Sequence, residues 1–221
     1  MANAGVIWDV DGTLVDTAEL HFDAWVKLAA ELNRPFTRQD YAATFGRRNP
    51  EIIHYLFGEQ YSAQQVDELG ERKERYYRSE AAHGVTLLPG VARLLELYHD
   101  HGIPQAIGSS APRGNLELIL DLAGIRRFFS GVVAMEDTRK GKPDPEVFLT
   151  AAQRLQVDPD RCLVFEDALA GVQAAKAGGM KCVAVRFVGH HSEESLQRAG
   201  ADLVVPCLDR LQPEQALALV Q

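Results

Sequence analysis

Along the chain, apolar runs stop abruptly at polar clusters, and stretches of three- and four-residue periodicity separate them. Gly5 to Val10 reads as a buried strand. From Thr17 to Asn33 the pattern turns helical, with Leu20, Trp25, Leu28, Ala29 and Leu32 on one face. Asp16 and Thr17 are both candidate caps for that helix, and the stretch from Asn33 to Pro35 ends it. Shorter helical patterns follow at 37–44 and 49–57, and a longer polar one covers 62–81. No strand-like run interrupts residues 17–83, so they are expected to form a helical block.

After "LLPG" (87–90) the pattern alternates. Helices are expected at 91–101, 113–123, 145–155 and 169–177, and strands at 103–108, 131–134, 162–165 and 180–185, with a weaker one at 203–205. Such alternation implies parallel pairing through right-handed crossovers, hence a doubly wound α/β sheet. The first strand belongs to the same sheet. The expected fold is therefore an α/β core of residues 1–16 and 84–221, with a small α-helical cap inserted at 17–83. No internal repeat or low-complexity tract is visible.

Composition narrows the class. A net charge of −8 argues against a nucleic-acid binder, although a local basic pocket for a small anion stays open. No apolar run approaches the roughly 20 residues a membrane span requires, and no secretory signal is visible at the start. Cys162, Cys182 and Cys207 lie far apart without paired spacing, which suits reduced thiols. The expectation is a cytoplasmic, monomeric protein that meets neither membrane nor nucleic acid.

In an open parallel sheet, ligands bind outside the carboxyl ends of the strands. Apolar runs here end at Asp9-Val10-Asp11-Gly12-Thr13, at Ser109-Ser110 after "QAIG", and at Glu166-Asp167 after "CLVF". "VVAM" leads through Glu136-Asp137 to Lys140-Gly141-Lys142-Pro143. Crowded carboxylates need a cation, and an oxygen-rich site with few protein ligands suits Mg²⁺. Asp9 and Asp167 are the natural ligands, with Glu166 close by and a backbone carbonyl from the first loop. Lys142 and Ser109 can hold a phosphate and offset its charge. Asp9 could attack phosphorus to form an aspartyl-phosphate. Asp11 would give the departing alkoxide a proton and later take one from water. Bland readings stand beside these: Ser109 and Ser110 as helix caps, Lys142 as a surface lysine, Lys73 on a solvated helix face. His190-His191 reads as an exposed loop.

These motifs resemble the haloacid dehalogenase superfamily of phosphotransferases. "DVDGTLVDT" is similar to its nucleophile loop, Ser109 to its second motif, Lys142 in "GKPDP" to its third, and Glu166-Asp167 in "FEDALAGVQAAKAGG" to its fourth. Within it, the chain resembles the β-phosphoglucomutase-like branch, whose helical cap follows the first strand. The resemblance implies a Rossmann-like core, Asp9 as nucleophile and Asp11 as acid/base. It also implies Mg²⁺ held by Asp9, the Asp11 carbonyl and Asp167, with Glu166 assisting. "DTAELHFDAW" places His21, and "ERKERYY" places Lys73, where the mutase has functional cap residues.

One departure matters. Where the mutase carries Gly-x-Ser-Arg on its cap for the distal phosphate, this chain has "FGRRNPEII" (45–53), with Asn49 in place of the Ser-Arg pair. Arg47 and Arg48 read equally as a solvated pair or as a substrate clamp beside Asn49 and Ser110. The expected activity is hydrolysis of a small phosphorylated metabolite, a sugar or polyol phosphate, with a phosphohexomutase as the alternative. A phospho-aspartate receiver would need neither the second acid nor the cap.

Overall fold

The computed structural model of the protein describes residues 4–220. The core is a sheet of β1 (Gly5–Trp8), β2 (Gln105–Gly108), β3 (Gly131–Val133), β4 (Cys162–Glu166), β5 (Lys181–Val185) and β6 (Leu203–Val205). Its order is β3-β2-β1-β4-β5-β6, and every neighbouring pair is parallel. This is the doubly wound arrangement that the alternation predicts. Successive residues of β1 face opposite sides. Val6 and Trp8 join one apolar cluster with Leu163, Phe165 and Ile107, and Ile7 joins a second with Ala106, Val164 and Cys182. Helices α5 (Val91–Asp100) and α6 (Arg113–Leu122) cover the first face, and α7 (Glu146–Leu155) and α8 (Leu169–Ala177) the second.

Burying polar groups here demands partners. Trp8 Nε1 donates to Gln105 Oε1 at 2.9 Å, and Gln105 Nε2 donates to the Leu95 carbonyl at 2.9 Å, so this inward-facing glutamine is satisfied. Trp8 also stacks on Phe165 with centroids 4.2 Å apart.

The strand expected to reach Val10 stops at Trp8. The Val10 carbonyl instead accepts from the amides of Leu14 and Val15, at 2.9 and 3.1 Å, which curls the chain at the sheet edge. The chain then leaves the core and returns at paired crossings. Asp16 N donates to the Thr86 carbonyl at 3.0 Å and Leu88 N to the Leu14 carbonyl at 2.9 Å. Between them lie α1 (Ala18–Glu31), α2 (Arg38–Thr44), α3 (Asn49–Phe57) and α4 (Ala63–Ala81). They share an apolar cluster of their own, built on Trp25, Leu28, Phe36, Tyr41, Ile53 and Leu69. Helices α9 (Glu193–Arg198) and α10 (Pro213–Leu217) complete the chain; both are too short to show a periodic signature. No helix among the described residues is long and apolar enough to cross a membrane.

Candidate active site

Trp8 of β1 is in register with Ile107 of β2 and Phe165 of β4. The residues that follow therefore emerge together at the carboxyl edge, where the winding reverses on either side of β1. Asp9 leaves β1, Ser109 follows β2, and Glu166 and Asp167 end β4. Lys142 arrives from the loop beyond β3. Its Nζ donates to Asp9 Oδ1 at 2.6 Å and to Glu166 Oε1 at 2.7 Å, with only 1% of the residue exposed. A surface lysine it is not. The other Glu166 oxygen accepts from the amides of Asp167 and Ala168, at 2.6 and 2.5 Å. Both Glu166 oxygens are thus engaged, which makes it an anchor for Lys142 and leaves Asp9 and Asp167 freer to ligate.

Asp9, Glu166 and Asp167 each offer an oxygen, and these atoms lie within 4.8 Å of one another. Burial pushes the Asp9 carboxyl up to about 7; Lys142 opposes the shift, while Glu166 and Asp11 add to it. Burial, reinforced by Glu166 and Asp9, likewise raises Asp167 well above the usual carboxylate range. Burial would lower Lys142, yet Asp9 and Glu166 outweigh it and raise its pKa. An excess of buried anionic oxygen over cation is the donor set a hard divalent ion fits. Gly12 adopts φ 85°, and a Cβ there would sit 2.0 Å from Asp167 Oδ2, so turn geometry and ligand placement both require glycine.

Asp11 points towards the cap. Its Oδ1 accepts from Thr17 Oγ1 at 2.6 Å and Tyr77 OH at 3.2 Å, and lies 3.0 Å from His21 Nε2. Burial would raise the Asp11 carboxyl, but His21, Thr17 and Lys73 together hold it well below the usual range. Thr17 does occupy the N-cap position of α1, but its hydroxyl is spent on Asp11 and not on the helix. His21 stacks on Tyr77 at 4.0 Å, and its Nδ1 lies 2.7 Å from Lys73 Nζ. An ammonium only donates, so Nδ1 accepts and the ring proton is carried by Nε2, the nitrogen nearer Asp11. Lys73, at 1% exposed, is not on a solvated face. It also donates to Glu74 Oε1 at 3.0 Å, and that buried carboxylate is reached by Asn49 Nδ2 at 2.7 Å and by Asn115 Nδ2 at 2.6 Å.

A cavity partly open to solvent joins these groups. Asp9, Asp11, Ser109, Ser110, Glu166 and Asp167 line it from the core, and His21, Lys73, Glu74 and Asn49, with the apolar side chains of Trp25, Tyr41, Phe45 and Ile52, line it from the helical insertion. Ser109 is not a helix cap: α6 has Pro112 at its N-cap, and Ser109 Oγ accepts from Ala111 N at 3.0 Å, leaving its proton for the cavity. Arg47 is exposed at the rim. Arg48, expected beside it, turns away from the cavity and donates to Thr138 and Lys140 of the core, because those carbonyls present it with acceptors. His190 also departs from expectation. It is half-buried against Tyr41 and Phe45, with centroids at 5.1 and 4.5 Å.

Sequence reasoning did not single out Tyr77, Glu74, Asn115 or the apolar lining. Tyr77 carries a signal in its spacing, since Lys73 and Tyr77 are four apart on the stripe of α4 that also buries Val66, Leu69 and Ala81. Asn115 carries none.

The haloacid dehalogenase-like hydrolase profile matches residues 4–179. The 5-amino-6-(5-phospho-D-ribitylamino)uracil phosphatase of Arabidopsis thaliana chloroplasts is 36% identical over 212 residues; the match covers 94% of this chain and 55% of that protein. The β-phosphoglucomutase of Bacillus subtilis is 37% identical over 207 residues, covering 90% of this chain and 88% of the other. The crystal structure of β-phosphoglucomutase from Clostridium difficile superposes with a TM-score of 0.89 at 27% identity, covering 99% of this chain and 97% of that one. With the Asp9–Thr13 loop, Lys142 and the Glu166-Asp167 pair on one sheet edge, this chain belongs to the haloacid dehalogenase-like hydrolases, in the branch of β-phosphoglucomutase-like enzymes.

Proposed function

We propose that the protein is a Mg²⁺-dependent phosphatase of a small sugar or polyol phosphate, working through an aspartyl-phosphate on Asp9. The observation that carries this reading is Lys142 Nζ bridging Asp9 and Glu166 beside Asp167, all buried at the sheet edge. Asp9, Asp167 and the Asp11 carbonyl would hold the ion. When bound, Mg²⁺ supplies charge that offsets the phosphate oxygens and keeps Asp9 ionised.

In the first half-reaction an Asp9 oxygen bonds to phosphorus while the ester oxygen leaves and takes a proton from Asp11. The negative charge of the entering phosphate raises the otherwise depressed Asp11 pKa, so the acid can arrive protonated. In the second, water attacks the same phosphorus, Asp11 accepts the water's proton, and Asp9 is released with phosphate. Thr17, Tyr77 and His21 aim Asp11 at the reacting oxygen. Lys142 and the Ser109 hydroxyl steady the phosphoryl oxygens. The cap covers the site and excludes bulk water.

Hydrolysis is favoured over mutase chemistry by the distal wall. A mutase must grip a second phosphate there. Asn49 instead donates to the carboxylate of Glu74, and Arg48 has left the cavity. Only Arg47 stays at the rim as a free basic group for substrate among the described residues there. The mixture of apolar and polar side chains lining the cavity suits a carbon chain that carries several hydroxyls.

Phosphate release across sugar and polyol monophosphates, with Mg²⁺ and after chelation, tests the reading. Activity should need the metal, and Asp9→Asn should abolish it while leaving the melting transition cooperative. Full activity in Asp9→Asn refutes the mechanism. β-Glucose 1-phosphate with a trace of the bisphosphate should yield inorganic phosphate; glucose 6-phosphate would assign a mutase.

A further inference from the structure

Arg48 sits at the N-cap of α3, yet its guanidinium lies against the loop that delivers Lys142. Nη1 donates to the Thr138 carbonyl at 3.1 Å, and Nη2 donates to the Lys140 carbonyl at 2.6 Å and to Thr138 Oγ1. The amides of the same loop are held from the other side: Arg139 N and Lys140 N donate to Glu146 Oε2 at 3.0 and 2.9 Å, within the core. The core thus holds the loop's donors and the cap its acceptors. Close approach is possible because Gly141 lacks a side chain. A Cβ there would lie 2.5 Å from Glu51 Oε1 and 3.0 Å from both Cδ and Nε of Arg48. Glu51 and Arg48 belong to one turn of the cap, so Gly141 is the seat on which that turn rests.

We infer that Arg48 is a positioning residue for Lys142, tying the placement of that lysine between Asp9 and Glu166 to the seating of the cap. The inference rests on the proposed role of Lys142 in steadying the transferring phosphoryl group. With the cap seated, the rigid fork of Arg48 fixes two carbonyls only a few residues before Lys142. With the cap away, those carbonyls turn to water and the loop keeps only its Glu146 side. The lysine is then aligned for phosphoryl transfer chiefly when substrate is enclosed, which confines the chemistry to the closed site. Arg48 touches no substrate atom in this scheme; Arg47, its neighbour at the cavity rim, does.

The experiment compares Arg48→Ala and Arg47→Ala by steady-state kinetics on the best monophosphate from the screen and by hydrogen–deuterium exchange of the peptide spanning 138–144. Arg48→Ala should lower kcat by roughly 10–100-fold, the scale of a displacement near 1 Å, with KM changed less than about threefold. Exchange in 138–144 should quicken. Arg48→Lys, without the fork, should not restore kcat. Arg47→Ala should raise KM and leave exchange unchanged. A rise in KM alone for Arg48→Ala, with kcat and exchange untouched, would overturn the inference, as would no change in any of the three. If Arg48→Ala does not fold, Gly141→Ala displaces the same side chains by its methyl group and should give the same kcat loss and faster exchange. The exchange measurement needs no substrate, so it stands or falls apart from the phosphatase reading.

Discussion

Replacing Gly171 by alanine sets helix propensity against site geometry, with opposite signs. Gly171 lies within α8, so propensity alone would make alanine stabilising by about 1 kcal/mol. Its Cβ, however, would fall 1.7 Å from Glu166 Oε1 and 2.6 Å from Glu166 Cγ. Glu166 is 1% exposed and fixed by Lys142 and two backbone amides, so it cannot swing aside as a surface chain would. Displacing it strips a buried lysine of one of its carboxylates, a loss of roughly 3–5 kcal/mol. The net expectation is a destabilisation of roughly 2–4 kcal/mol, together with a large fall in kcat as Lys142 shifts. Urea unfolding followed by circular dichroism, alongside phosphate release, measures both. The Glu166→Ala background sharpens the test. With the clash gone, Gly171→Ala should there stabilise by about 1 kcal/mol, an inversion of sign that reports the coupling directly. A single variant that is more stable than the wild type and fully active would refute the reasoning.

Other expectations follow from the same packing. Trp25→Ala should cost about 3–5 kcal/mol by emptying the cap cluster and should raise KM, because the ring also walls the cavity; an effect on neither quantity would contradict its burial. Burial favours a raised Asp202 pKa, but Lys176 at 2.6 Å, Cys182 N at 2.9 Å and Lys181 at 3.2 Å outweigh it and hold the group below its usual value. Its contribution is therefore complete above the unfolded carboxyl pKa of about 4 and fades as pH falls through the lower folded value. Asp202→Asn should cost about 1–2 kcal/mol at pH 7 and progressively less below about pH 4, as urea titrations at several pH values would show. A difference that widened on acidification would reverse that sign. Cys162 and Cys182 are fully buried, whereas Cys207 is half-exposed although its Asp209 contact also raises its thiol, so iodoacetamide at pH 8 should label Cys207 alone, and slowly, until the protein unfolds. Mass spectrometry of the labelled peptides decides it.

The sheet was legible because its strands are buried on both faces and read as continuous apolar runs broken by punctual polar ends. That the acidic residues and Lys142 gather at one edge followed from topology, since parallel strands must all finish on one side. Long-range partners were much less visible. Nothing in the sequence ties Glu74 to Asn115, or Arg48 to Thr138, because side chains meeting between distant segments leave no period. Lys73 illustrates the intermediate case. It occupies a buried stripe position on α4, but the surrounding glutamates and arginines make that stripe look solvated, and only the folded helix reveals which face turns inward. Likewise, Arg47 and Arg48 are chemically identical neighbours. Their divergence depends on where the Thr138 and Lys140 carbonyls come to rest.

The outgoing and returning segments near Val15 and Leu87 are hydrogen-bonded to each other where the four helices join the sheet. A body hung from one tether can swivel in every direction, whereas one hung from two joined tethers keeps a single easy axis. Any opening of the helical unit would therefore turn about that axis, like a door on its jamb, and would close onto one landing place. Registration of the far edge, where an arginine meets a glycine seat, is in that sense decided at the doorpost.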